Sequence, residues 1–275
     1  MNGQTVLITG ANGGIGKITA VELAKKGAHV IVASRKSEKT DGAMEEISSY
    51  GSAEHIAVDL ANLQSVRQLA STVMTKHQRL DVLINNAGVF PTKLTLTDDG
   101  FEAQFGVNHL AHFLLTTELL DFIKSNNSGR IITVTSKLHK NGSIDFDSFR
   151  GEKKYSPQVA YGQSKLANVL FAIELADRLT GSTVTSNLLH PGAVRTDIMR
   201  QMPKLLRWLV NLSFIKPEEG AKTSIMLASD KELDGVNGQY YDQCELDSVA
   251  EIGKDEDLRK KLWDESEKLT RAVNH

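Results

Sequence analysis

Six short apolar runs recur along this chain, and each is followed by a longer stretch of helical character. The runs are VLIT (6–9), AHVIVAS (28–34), AEHIAVD (53–59), LDVLINN (80–86), RIITVTS (130–136) and TVTSNLLH (183–190). They are rich in β-branched residues and apolar at successive positions, so both faces of each strand must be covered. Between them lie ITAVELAKKG, SEKTDGAMEEISSYG, NLQSVRQLASTVMTKHQ, TDDGFEAQFGVNHLAHFLLTTELLDFIKSN and SPQVAYGQSKLANVLFAIELADRL. Repeated βα units of this kind predict an α/β fold, a doubly wound parallel sheet of Rossmann type with helices on both faces. Asp41, Asn62 and Asp98 read as polar residues near helix starts, and Gly27, Gly51 and Gly129 as stops. DEDLRKKLWDESEKLTRAV reads as a C-terminal amphipathic helix at about 255–272. No linker is visible, so 1–275 reads as one domain.

Composition narrows the function. A formal net charge of −2 gives no basic field for nucleic acid or an anionic membrane surface. The single cysteine, Cys244, has no disulfide partner, in keeping with a reducing compartment. His109, His112, His139 and His190 form no metal-ligand spacing, so no metal is expected. Met1–Gln4 lead directly into the first strand without a leader, and no stretch reaches the ~20 apolar residues of a membrane span. The expectation is a cytoplasmic protein. The apolar stretch at 205–215, interrupted by Arg207 and Asn211, leaves peripheral membrane contact open.

The first strand runs into TGANGGIG (Thr9–Gly16). Gly10, Gly14 and Gly16 form a three-glycine turn at the start of a helix, where backbone must approach a pyrophosphate and free N–H groups meet it. The second strand ends in Ser34, Arg35 and Lys36, with no carboxylate for a ribose hydroxyl. Two cations there suit the extra phosphate of NADP, and Arg35 can grip it with a fork of donors. Asp59 and Leu60 follow the third strand, where they could meet an adenine edge or simply start a helix. Asn85, Asn86, Ala87 and Gly88 follow the fourth, which is either a plain turn or part of a ligand crevice.

Tyr161 and Lys165 are four residues apart in one helical stretch, so they leave the same face. An ammonium near a phenol favours phenolate and can draw its pKa from about 10 toward neutrality. A phenol so poised serves a substrate oxygen as general acid or base. Such a pair is also an ordinary helix-surface pair, and the surrounding motifs decide between these readings.

TGANGGIG, DL at 59–60, NNAG at 85–88, VNH at 107–109, VTS at 134–136, YGQSK at 161–165 and HPG at 190–192 occur in order along the whole chain. Together they resemble the short-chain dehydrogenase/reductase family. GEKKY, YGQSKLANVLFAIELADRL and HPGAVRTDI resemble its retinol dehydrogenase-like branch. The resemblance implies that Tyr161 is the acid/base and that Lys165 lowers its pKa and bonds the nicotinamide ribose. It implies that Ser136 holds the substrate oxygen, with Thr133 and Thr135 as neighbouring alternatives, and that Asn108 anchors a water-linked proton path. It extends the cofactor site to Asn12, Ile15, Pro191, Gly192, Val194 and Thr196, the last at the carboxamide. Reduction of a carbonyl by NADP(H), in preference to NAD(H), and dimerisation through long helices are further implications.

Two features depart from the common pattern. The segment KLHKNGSIDFDSFRGEKKY lengthens the gap between Ser136 and Tyr161, and it is shared in character with that branch. Many branch members carry an N-terminal anchor, whereas here the first strand begins at once. The substrate loop, at about 192–216, holds Met199, Met202, Leu205, Leu206, Trp208, Leu209, Val210, Leu212, Phe214 and Ile215. This is either an apolar lid over a lipophilic aldehyde, ketone or alcohol, a core helix, or a contact surface. A non-catalytic NADP-binding redox sensor and a sugar epimerase of the extended type are the rival readings. The epimerase is disfavoured because only about 80 residues follow HPG.

Titration with both dinucleotides tests the cofactor reading. NADP should bind more tightly than NAD, and Arg35→Asp should invert the order; tighter NAD binding by the unmodified chain would overturn it.

Overall fold

The computed structural model describes residues 1–126, 128–192 and 216–273. Its centre is an eight-stranded sheet in the order β3-β2-β1-β4-β5-β6-β7-β8. The strands are β1 (Thr5–Thr9), β2 (His29–Ser34), β3 (Ala53–Ala57), β4 (Val82–Asn85), β5 (Gly129–Val134), β6 (Val184–His190), β7 (Tyr240–Asp242) and β8 (Glu245–Asp247). All pairings are parallel except β7 with β8. The six strands expected from the sequence are all present. β7 and β8 were not foreseen, since three residues are too few for a visible period.

The helices are α1 (Gly14–Lys25), α2 (Glu38–Ser48), α3 (Leu63–Lys76), α4 (Ala103–Phe105), α5 (Ala111–Lys124), α6 (Pro157–Arg178), α7 (Pro217–Ser229) and α8 (Glu256–Arg271). Asn62 caps α3 as read, its side chain accepting from Ser65 N. Asp41 lies in the first turn of α2, near its start as read, whereas Asp98 does not start a helix. Ser37 caps α2, and the Asp98 carboxylate accepts from Asn62 Nδ2. The stretch read as one helix from Thr97 begins at Ala103, because residues 97–102 fold back through a bridge between Leu96 and Glu102. Gly27 ends α1 with a left-handed φ of 88°, as a helix stop should. Gly129 is instead the first residue of β5, α5 having ended at Lys124. α7, which opens on Pro217, was not read from the sequence.

Alternate residues of each central strand feed opposite cores. Leu7, Ile31, Leu83 and Ile131 meet α3, α5 and α6 on one face. Val6, Ile8, Val30, Val32, Ile84 and Ile132 meet α1 and α7 on the other. The C-terminal helix is tied down by Trp263, which lies edge-on to Phe113 at 5.0 Å and stacks on Phe171 at 5.8 Å. Arg178 covers the same ring at 4.2 Å. α8 therefore covers the faces of α5 and α6 that carry these phenylalanines. Among the described residues, no helix is long and apolar enough to cross a membrane.

Trp263→Ala should cost about 3–5 kcal/mol of stability, as for other large-to-small core changes. The readout is the urea midpoint followed by far-UV circular dichroism. An unchanged midpoint would mean that α8 lies outside the cooperative unit.

Candidate active site

The strand order reverses between β1 and β4, so the crevice at their carboxyl ends is the place where open α/β sheets hold ligands. Gly10 adopts a φ of 70°, and a Cβ there would lie 3.0 Å from Ala87 Cβ. A Cβ on Gly16 would lie 2.5 Å from Asn86 Nδ2 and 2.8 Å from the Gly10 carbonyl oxygen. The two turns thus touch without room for a methyl group, and α1 presents its amino end to the crevice. This cradle fits a dinucleotide pyrophosphate. Ile15 contributes backbone here, since its side chain packs on Ala221 of α7.

Thr9 joins the two turns. Its hydroxyl oxygen accepts from Asn86 N at 2.9 Å and Ala87 N at 3.0 Å. His112 is buried, which lowers its pKa to about 4, so the ring is neutral. His112 Nδ1 can only donate to the Asn108 carbonyl oxygen, 3.0 Å away. Nε2 must then accept, and the Thr9 hydroxyl at 2.9 Å is its donor. Asn86 Nδ2 completes the link by donating to the Thr9 carbonyl at 2.7 Å. Thr9 and His112 were not foreseen as site residues. Both look ordinary until the turns are brought together.

At the end of β2, Ser34 is buried and Arg35 and Lys36 are exposed. Thr40 Oγ1 donates to the Arg35 carbonyl at 2.7 Å and lies 3.3 Å from Ser34 Oγ. Asn12 Nδ2 donates to the same Thr40 oxygen at 3.2 Å, so the glycine turn and the end of β2 are held together. The Asp59 carboxylate accepts from Ala61 N within its own turn at 3.0 Å, and Leu60 packs against the core.

Asn108 sits on a π-helical turn, Gly106–Leu110, that interrupts the run from α4 into α5. Such turns concentrate at functional sites. Its side chain accepts from Val89 N at 2.7 Å and donates to Val89 O at 3.1 Å and Ser164 Oγ at 3.0 Å. A Cβ on Gly88 would lie 3.5 Å from Asn108 Oδ1 and 3.7 Å from Lys165 Nζ, so all three residues meet at one point. Lys165 Nζ donates to the Val134 carbonyl at 3.1 Å and lies 5.7 Å from the Tyr161 ring centroid. Ser136 follows β5, and its side chain acts on the Tyr161 hydroxyl to lower the phenol's pKa. Thr135 instead donates to the Lys165 carbonyl at 2.7 Å, and Thr133 is buried in the sheet.

Burial dominates both titratable groups. It pushes the Tyr161 phenol up to about 12, against the lowering effect of the Ser136 side chain. It pulls Lys165 down to about 8. At the phenol, desolvation outweighs the lowering effect of the Ser136 side chain, so the cofactor-free chain does not by itself draw it toward neutrality. Pro191 is buried at the end of β6, and Gly192 takes a φ of 87°. Val194, Thr196 and the apolar 205–215 stretch lie outside the described residues.

A family model for short chain dehydrogenases matches residues 4–205. The chain belongs to the short-chain dehydrogenase/reductase family. Human retinol dehydrogenase 14 is 46% identical over 97% of this chain and 86% of its own length. Human retinol dehydrogenase 13 is 44% identical over 97% and 84%. These relatives place the chain in the retinol dehydrogenase-like branch. Among solved structures, an uncharacterised protein from Mycobacterium paratuberculosis superposes with a TM-score of 0.82 at 36% identity, over 98% of this chain and 94% of that one. A Beutenbergia cavernae protein assigned as an NAD(P)-dependent gluconate 5-dehydrogenase, with NADP bound at low occupancy, gives 0.74 at 27%, over 88% and 96%. As a short-chain dehydrogenase/reductase, the protein is an oxidoreductase that works with a nicotinamide dinucleotide.

Thr9→Val keeps the shape of the side chain but leaves Asn86 N, Ala87 N and His112 Nε2 without their partner. It should lower stability by at least about 1–3 kcal/mol, the cost of one orphaned buried group, while Thr9→Ser loses less. Equal urea midpoints for the two variants would remove the hydroxyl from this role.

Proposed function

We propose that this chain is an NADP(H)-dependent oxidoreductase that interconverts a lipophilic carbonyl compound and its alcohol, with Tyr161 as general acid/base. The observation that carries this reading is the meeting of Ser136, Tyr161 and Lys165 at the carboxyl edge of the sheet, beside Gly88 and the glycine cradle. When bound, the nicotinamide supplies the hydride chemistry.

The protein's own part is positional and electrostatic. Negative charge develops on the substrate oxygen during reduction, and the Tyr161 hydroxyl gives it a proton while Ser136 donates a hydrogen bond. A phenol held near 12 is protonated throughout the neutral range, so it is ready to act as the acid. Lys165, at about 8, is mostly cationic at neutral pH and favours the phenolate left behind. Asn108 holds the Val89 backbone and Ser164, and thereby the wall on which Lys165 rests.

Arg35 and Lys36, exposed at the end of β2, support the preference for NADP. NADP bound to the structural neighbour is consistent with that choice. A lipophilic substrate is supported by the names of the retinol dehydrogenase relatives and by apolar groups around the candidate site. Phe90 lies edge-on to Tyr161 at 5.3 Å, and Leu138 and Val159 are exposed close to Ser136 and Tyr161 in the chain. The apolar 205–215 stretch is proposed as the lid.

A panel of carbonyl compounds followed by NADPH absorbance tests this reading. Tyr161→Phe should abolish turnover and leave NADPH binding largely intact. Retained turnover would remove Tyr161 from the chemistry, and a chain that binds NADPH but turns over nothing would favour the redox-sensor alternative. The direction of the phenol shift sets the pH profile. Alcohol oxidation, which needs phenolate, should rise as pH climbs above neutral, while carbonyl reduction should hold to about pH 8 and fall as Lys165 loses its charge. Oxidation independent of pH would contradict the assignment.

A further inference from the structure

The opposite end of the sheet carries a second cluster of chemically capable side chains. His29 opens β2, Glu54 is the second residue of β3, and His77 ends α3. Strand pairing sets Glu54 beside Ile31, two residues beyond His29 and on the same face of β2. These are amino-terminal strand ends, whereas the dinucleotide cradle lies at the carboxyl ends.

We propose that His29, Glu54 and His77 form a binding site for a divalent transition-metal ion of the zinc type, which ties the edge strand β3 and its neighbour β2 to the end of α3. The donor set is two imidazoles and one carboxylate, which suits zinc and leaves a position for water. The three ligating atoms all lie within 4.8 Å of one another. Glu54 Oε1 is 3.2 Å from His29 Nε2 and 2.7 Å from His77 Nε2. Zinc bonds of about 2.0–2.1 Å put neighbouring atoms of a tetrahedral shell roughly 3.3–3.4 Å apart. The His29 pair already has that spacing. The His77 pair needs to open by roughly 0.6 Å, within reach of a small side-chain rotation.

Two further observations point to an ion. His77 Nε2 is fully buried and has no hydrogen-bond partner, because its approach to Glu54 falls outside hydrogen-bonding geometry. Two ligands aimed at a shared third atom are disposed in this way. His29 Nδ1 lies 2.7 Å from Ser52 Oγ. That bond fixes the ring with Nε2 facing the cluster, where Nε2 donates to Glu54 Oε1 at 3.2 Å in the metal-free state, and an ion would take the place of that proton.

One group opposes the ion. Lys76 Nζ is 3.6 Å from Glu54 Oε2 and competes for the carboxylate. Its side chain is 56% exposed and can swing into solvent. No sequence motif reveals this site, because its ligands come from three elements at separations of 25 and 23 residues.

The test uses the full chain without an affinity tag, stripped with chelator. Equilibrium dialysis with zinc chloride should return one ion per chain, and cobalt chloride should give the visible bands of a tetrahedral complex. Glu54→Gln and His77→Gln should each weaken binding by more than about 100-fold, beyond what outer-shell changes cause, and Ser52→Ala by about tenfold. Lys76→Ala should tighten it. Zinc should raise the melting temperature of the unmodified chain but not of Glu54→Gln, with circular dichroism confirming that each variant is folded. Absence of stoichiometric binding overturns the proposal. So does binding that survives both ligand replacements, since the ion would then lie elsewhere.

Discussion

A buried ammonium organises the ligand end of this molecule. Lys165 is 3% exposed, and its Nζ donates to the carbonyl of Val134 at the end of β5. An ammonium held there is costly, and burial lowers its pKa to about 8. The surrounding structure holds it in place from several directions. The Lys165 carbonyl accepts from Thr135, and the preceding residue, Ser164, accepts from Asn108. Asn108 in turn holds Val89, just past the turn whose amides rest on Thr9. A strained, desolvated cation beside a phenol marks a functional site more readily than a structural one.

The central α/β plan was legible because its signal is collective. Six runs of apolar residues, each followed by a helical stretch, leave few folds available. The misreadings are local. Asp98 has the right residue type for a cap but is drawn to Asn62 across the structure, and Gly129 is a strand residue paired with Val184, glycine there because Ile123 and Val184 leave no room for a Cβ. β7 and β8 are too short to show a period, and they owe their existence to pairing with β6.

The candidate site was legible where chemistry depends on residue identity at fixed spacing. Tyr161 and Lys165 share a helix face, and the glycines share a turn. It was not legible where function depends on elements meeting in space. Thr9 and His112 are 103 residues apart, and nothing local marks either as the link between the cradle and the π-helical turn. The direction of the Tyr161 shift was also hidden. Spacing predicts proximity to a cation but not the desolvation that raises the phenol.

In the proposed mechanism, a phenol held protonated in the cofactor-free chain gives up its proton more readily once the cofactor is bound. Carbon-13 NMR of selectively labelled Tyr161 reads this most directly. The phenol should titrate near 12 in the protein alone and fall when NADP⁺, with its cationic nicotinamide, is bound. A value near the ordinary 10 that NADP⁺ does not move would contradict it.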